Sequence, residues 1–103
     1  MEHKFSFRVT SKVPPVVEFD PAADAVYVYL DRGKKISKTV LRSEWPHVAV
    51  DLDDKGTVIG IELLCPSEFT IHSIFQKAKL EAPVAFLNSA RYQTSKSSEL
   101  VKA

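Results

Sequence analysis

Cysteine occurs once in the 103 residues, as Cys65. No intramolecular disulfide can form, and a reducing cytoplasm is the expected setting. The thiol also lacks a partner base. The three histidines, His3, His47 and His72, stand at no recognisable spacing to it, and between Leu64 and Pro66 it reads as a small packed residue. Nor do the histidines have a second His or Cys at ligand spacing, so no metal site is expected. Of only three glycines, Gly33 and Gly56 fall in turns, which leaves no phosphate loop and no nucleotide cofactor to expect. No apolar run approaches the roughly 18 residues of a membrane span. The opening stretch MEHKFSFRVTSK lacks the continuous apolar core of a signal peptide, so a cytoplasmic protein without a membrane partner is expected. A charge excess is missing too. Net charge is +1, which gives no electrostatic case for nucleic acid as a partner.

What is present is an ordinary globular composition, 45% apolar and 26% charged, in a length that suits one domain. The charge is unevenly placed. Residues 15–54 hold eight acids against five bases, and residues 76–103 hold five bases against two acids. Solvated acidic turns and a basic tail account for both.

The period of the apolar pattern gives the elements. Residues 4–10 alternate as an edge strand or extended arm, which Pro14 and Pro15 separate from the next strand. Val16 to Phe19 is a short strand. Asp20-Pro21-Ala22-Ala23-Asp24 is a tight connection, and Ala25 to Leu30, AVYVYL, is the strand richest in β-branched and aromatic residues. After the turn Asp31-Arg32-Gly33-Lys34-Lys35, Ile36 to Leu41 reads as another strand. His47 to Leu64 reads as one hairpin: Val48, Val50 and Leu52 alternate with polar or small residues, and Ile59, Ile61 and Leu63 do the same beyond the turn Asp53-Asp54-Lys55-Gly56. At Pro66 the period changes. Ile71, Ile74, Phe75 and Ala78 form a helical stripe, predicting a helix from about Glu68 to Leu80 capped by Ser67 or Thr70. Val84 to Tyr92 reads as a further short helix beginning at Pro83, and residues 93–103 as a frayed polar end.

Three sets of residues look chemical. Asp51-x-Asp53-x-Lys55-Gly56, with Glu62 at the twelfth position, has the outline of a calcium loop. Lys55 puts a cation at a ligand position and the flanks are strands, so a type I turn with Gly56 in a left-handed bulge is the better reading. The acids Asp20, Asp24, Asp51 and Glu62 would support a small hydrolase if they met in a pocket, but nothing in their spacing sets a distance. Gly60, inside a strand, marks a bulge or a close contact across the sheet. Finally, Tyr27 and Tyr29 share the strand face opposite Val26, Val28 and Leu30, either as an exposed aromatic pair of the kind found on contact surfaces or partly covered by Phe5, Phe7 or the C-terminal segment.

Two stretches together resemble a family of small prokaryotic proteins of unknown function. They are FDPAADAVYVYL, from Phe19 to Leu30, and VDLDDKGTVIGIELL, from Val50 to Leu64. The family has a [FY]-D-x-x-x-D-[AV]-[LV]-Y-[IV]-x-[LF] pattern followed by V-D-x-D-x-x-G-x-[IV]-[VL]-G-[IV]-E-[IL]-L. The resemblance covers about residues 16–66. It implies a compact sheet-rich domain with no assigned activity, ligand or catalytic residue. Some members sit beside small toxin-like genes, which implies an antitoxin-like partner as one version of a binding role.

The sequence therefore predicts an α+β domain, an antiparallel meander of four or five strands packed against a C-terminal helix. Residues 1–15 form an arm or edge strand, 16–80 the domain, and 81–103 a segment that is partly helical or disordered. The expected function is a protein-interaction module or homo-oligomer, its partner itself or another protein. Tyr27, Tyr29, Phe86 and Tyr92 are its candidate contact residues. No catalytic residue, metal or cofactor is expected.

Overall fold

A computed structural model describes residues 13–44, 46–64 and 69–94. The strand expected at 4–10, the environment of Cys65, the cap at Ser67 and the end from 95 lie outside them. The chain is α+β. Its elements are β1 (Val16–Asp20), β2 (Ala25–Tyr29), β3 (Lys38–Glu44), β4 (His47–Leu52), β5 (Val58–Leu64), α1 (Ile71–Ala78), α2 (Val84–Asn88) and β6 (Arg91–Thr94).

The β1–β2 hairpin turns on Asp20, whose Oδ1 accepts from the amides of Ala22 at 3.1 Å and Ala23 at 3.3 Å. Asp24 closes the turn at φ 50, a left-handed conformation that aspartate tolerates better than most residues. β3, β4 and β5 then form a meander. Between β4 and β5 the amide of Gly56 donates to the carbonyl of Asp53 at 3.1 Å, and Gly56 takes φ 82, the left-handed position expected of it. Asp53 Oδ1 accepts from the amides of Lys55 and Thr57, both at 2.9 Å. That carboxylate serves the turn's own backbone.

The sheet is not a simple meander. Its order is β3-β4-β5-β2-β1-β6, so β2 pairs with β5 rather than with the next strand, β3. This is a Greek-key connection: three hairpin-linked strands return to lie beside the strand that precedes them. Residues 30–37 carry the chain across. The amides of Leu30 and Asp31 both donate to the carbonyl of Ile59, and that of Ser37 donates to Leu52. The connection is thus fastened to the ends of both strands it passes. A register shift between Asp51 and Leu52 places Asp51 opposite Gly60 and Leu52 opposite Val58, leaving Ile59 without a partner on β4.

β6 is the second departure. Arg91 and Tyr92, expected at the end of a helix, are strand residues, and β6 runs parallel to β1 from Val16↔Arg91 to Phe19↔Thr94. Parallel pairing needs a long crossover, and the residues carrying α1 and α2 supply it. The amide of Arg91 donates to the carbonyl of Pro15 at 2.8 Å and sets the register.

The helix after Pro66 is shorter than expected, eight residues, because its ends are set by caps. Thr70 Oγ1 accepts from Ser73 N at 3.0 Å, and Ser73 Oγ accepts from Thr70 N at 3.0 Å, a capping box with serine at its third position. Lys79 ends the helix at φ 62. Val17, Val26, Val28, Val48, Val50, Ile61 and Leu63 from the sheet share one buried cluster with Ile71, Ile74, Phe75 and Ala78 from α1 and Leu87 from α2. Arg42 Nε on β3 donates to the carbonyl of Ala78 at 2.9 Å, tying the last turn of α1 to the sheet.

The Asp53 turn makes folding stability depend on acid. The amide of Thr57 holds the carboxyl below its ordinary value, burial opposes this, and the amide of Lys55 adds to the lowering. A lowered folded value means that the stabilisation is complete above the unfolded-state value near 4 and is lost as pH falls through the folded one. Asp53→Asn is expected to lower the melting temperature at neutral pH and to flatten its decline below about pH 4. A thermal-melt series against pH, wild type beside variant, checks both.

Candidate functional site

The sheet face turned away from that cluster carries Thr39, Asp51, Glu62, Glu18 and the two tyrosines of β2. Register places the residues of this face in two rows. One runs Thr39, Asp51, Gly60, Tyr29 and Val16 across β3, β4, β5, β2 and β1. The other runs Leu41, Ala49, Glu62, Tyr27 and Glu18. Tyr27 crosses from its own row to the next. Its hydroxyl donates to Asp51 Oδ2 on β4, two strands away, and Thr39 Oγ1 on β3 donates to Asp51 Oδ1 at 2.5 Å. Asp51 is thereby buried with a hydroxyl on each oxygen, the condition under which a buried carboxylate is tolerated.

Gly60 makes that crossing possible. β5 lies between β2 and β4, and any side chain at 60 would stand in the path of the ring. A methyl built there meets the Tyr27 hydroxyl and ring, with Cε2 at 2.7 Å. The glycine inside the strand thus marks a close approach, as its position suggested, while the bulge falls one residue earlier, at Ile59.

Tyr27 behaves as a fixed donor. Burial first, then the hydrogen bond and charge of Asp51, hold its hydroxyl protonated well above the usual value near 10. Because the folded value is raised, the stabilisation is present below pH ~10 and is lost as pH rises past it, where the unfolded chain can ionise and the folded one cannot. Alkaline unfolding of the wild type is therefore expected to begin near pH ~10, and Tyr27→Phe to reduce its pH slope. Far-UV circular dichroism against pH, with phenolate absorbance in parallel, checks this.

Tyr29 stands beside Tyr27 with ring centroids 4.8 Å apart and planes tilted by 57°. The Arg32 guanidinium lies over the Tyr29 ring, 4.1 Å from its centroid, and reaches Glu18 Oε1 at 3.5 Å. Burial and Glu18 raise the Tyr29 hydroxyl and Arg32 opposes them. Gln93 Nε2 donates to the same Glu18 oxygen at 3.3 Å. In the middle of the row that holds Glu18, His47 Nε2 is 3.4 Å from Glu62 Oε1.

Between this face and the 30–37 connection is an open hollow of about 490 Å³, lined by Tyr27, Tyr29, Ile59, Asp31, Arg32, Lys34 and Ile36. Ile36 is 54% exposed. The bulge places Ile59 here, outside the core cluster that takes its neighbours Val58 and Ile61. A second, apolar groove of about 340 Å³ lies at the β1–β6 end and includes Val17, Phe19, Phe69 and Tyr92.

The four contact candidates part company. Tyr27 is half-buried and committed to Asp51, Tyr29 is presented under Arg32, and Tyr92, 59% exposed, sits on β6 at the groove. Phe86 packs against the core. The four acids divide as well. Asp20 holds a turn and Asp24 closes it, while Asp51 and Glu62 share the open face, each with partners of its own. Of the calcium-loop positions, Asp51 serves hydroxyls, Asp53 serves amides and Glu62 serves His47, and no cluster of three potential metal ligands occurs among the described residues. No helix among them is long and apolar enough to cross a membrane. Sequence reasoning missed Thr39 and Arg32. Only the threonine at a polar strand position and the basic run after β2 pointed towards them.

A family model described as "Protein of unknown function (DUF2283)" matches residues 17–65, the span from β1 to the end of β5 that contains Tyr27, Asp51 and Gly60. No characterised protein and no solved structure matches the chain.

Proposed function

We propose that this chain is a cytoplasmic protein-interaction module that binds itself or a protein partner through the open face of its sheet. The observation that supports this reading is the hollow beside Tyr29. Tyrosine and arginine, here stacked on one another, are among the residues enriched at binding hot spots, and the exposed Ile36 adds apolar surface beside them. Tyr27, Asp51 and Thr39 are the frame that holds this surface, not the surface itself. Burial keeps the Tyr27 hydroxyl a donor, and Asp51 has a hydroxyl on each oxygen, so neither is poised as a nucleophile or base.

Light scattering on the full chain, followed by affinity capture from its host, tests the proposal. Expected is a dimer or a specific captured protein, lost in the Tyr29→Ser plus Ile36→Ser variant while the melting temperature is largely kept. A strict monomer that captures nothing, or a complex indifferent to those substitutions, overturns it.

A further inference from the structure

We infer that the hollow beside Tyr29 takes an acidic protein segment, one carrying a carboxylate next to an apolar side chain. The inference rests on the interaction reading above and names the chemistry of the partner. The connection that overhangs the hollow is basic. Residues 30–37 hold Arg32, Lys34 and Lys35 against one acid, Asp31, a net of +2 in a chain whose total is +1. The remainder is therefore net −1. Asp31 lines the hollow too, its Oδ1 held by the amide of Gly33 at 3.2 Å, and against it stand the two bases of the lining, Arg32 and Lys34. The floor is apolar and aromatic: Ile59, the Tyr27 and Tyr29 rings and Ile36. A ligand matching both must be anionic at the rim and apolar at the floor.

A nucleic acid strand fits less well. Beyond Tyr29 on the same face stand Glu18 and Glu62, and a phosphate backbone leaving the basic connection would run over them. A peptide places its charges singly and can set one carboxylate against Lys34 while its neighbour enters the hollow.

The test is fluorescence anisotropy of the full-length chain with three labelled probes: a short peptide alternating Glu and Leu, the same peptide with Gln for Glu, and a single-stranded oligodeoxynucleotide. The Glu peptide is expected to bind at least roughly tenfold tighter than the Gln peptide. It should weaken as salt is raised, and lose a similar factor in Lys34→Glu and in Ile36→Ser. Both substitutions are at exposed positions, and circular dichroism confirms that the variants are folded. Equal binding of the two peptides, no effect of Lys34→Glu, or tighter binding of the oligonucleotide overturns the inference. A protein complex that depends on Tyr29, found alongside any of these, leaves the interaction reading standing and removes only its acidic partner. Loss of both removes both.

Discussion

Gly60→Ala is expected to destabilise the chain by about 2–4 kcal/mol, although alanine is normally the better residue in a strand by roughly 0.5–1 kcal/mol. The added methyl occupies the path of the Tyr27 ring. The ring must swing away, and Asp51 then loses the hydroxyl on Oδ2 while remaining within the sheet. An unsatisfied buried carboxylate oxygen carries most of the cost, with strain in the displaced ring adding to it. Denaturant unfolding of four proteins isolates the cause: wild type, Gly60→Ala, Tyr27→Ala and the double variant. With Tyr27 truncated the slot is empty, and Gly60→Ala is expected to become neutral or favourable. A penalty that persists unchanged in the Tyr27→Ala background would mean that Gly60 is required for some other reason than the crossing ring.

Phe75→Ala is expected to cost more, roughly 3–5 kcal/mol, against a total of about 5–15 kcal/mol for a domain of this kind. Phe75 is 2% exposed and lies in the cluster shared by α1 and the sheet. α1 is only eight residues long, too short to persist by propensity, so its stability depends on that apolar stripe. Ile71, Ile74 and Ala78 are left to hold it, with Arg42 on the carbonyl of Ala78. Guanidinium unfolding should show a lower midpoint. Amides of Ile74 to Ala78 should lose hydrogen-exchange protection before those of β4 and β5, because the sheet keeps its own ladder.

How far the sequence could be read depended on whether a feature was local. The alternation in Ala25–Tyr29 and His47–Leu52, the turn at Gly56 and the cap at Thr70 are written in neighbouring residues, and they stand close to where the patterns put them. Pairing partners are not local. β2 meets β5 because the connection at 30–37 bonds to Ile59 and Leu52, and no periodicity within a strand encodes that choice. β6 is the same case. Four exposed residues with no apolar stripe become a strand only because the edge of β1 is there to receive them. The bulge at Ile59 moved a residue out of the alternation and into the hollow. At the site, Tyr27, Asp51 and Gly60 were each legible as unusual: an aromatic on a polar face, an acid within a strand and a glycine within another. Their connection was not, because it passes diagonally over an intervening strand and joins residues 24 apart in sequence.

The crossing of Tyr27 over Gly60 is the central structural claim, since it fixes the face that presents Tyr29, Arg32 and Ile36. The most direct measurement is the proton NMR shift of the Gly60 α-protons, read with the Tyr27 ring contacts in a nuclear Overhauser spectrum. The expected result is an α-proton displaced from its ordinary strand value by the ring current of Tyr27, with cross-peaks to that ring, both lost in Tyr27→Leu. An ordinary Gly60 shift that is indifferent to Tyr27→Leu, with no contact to the ring, would contradict it.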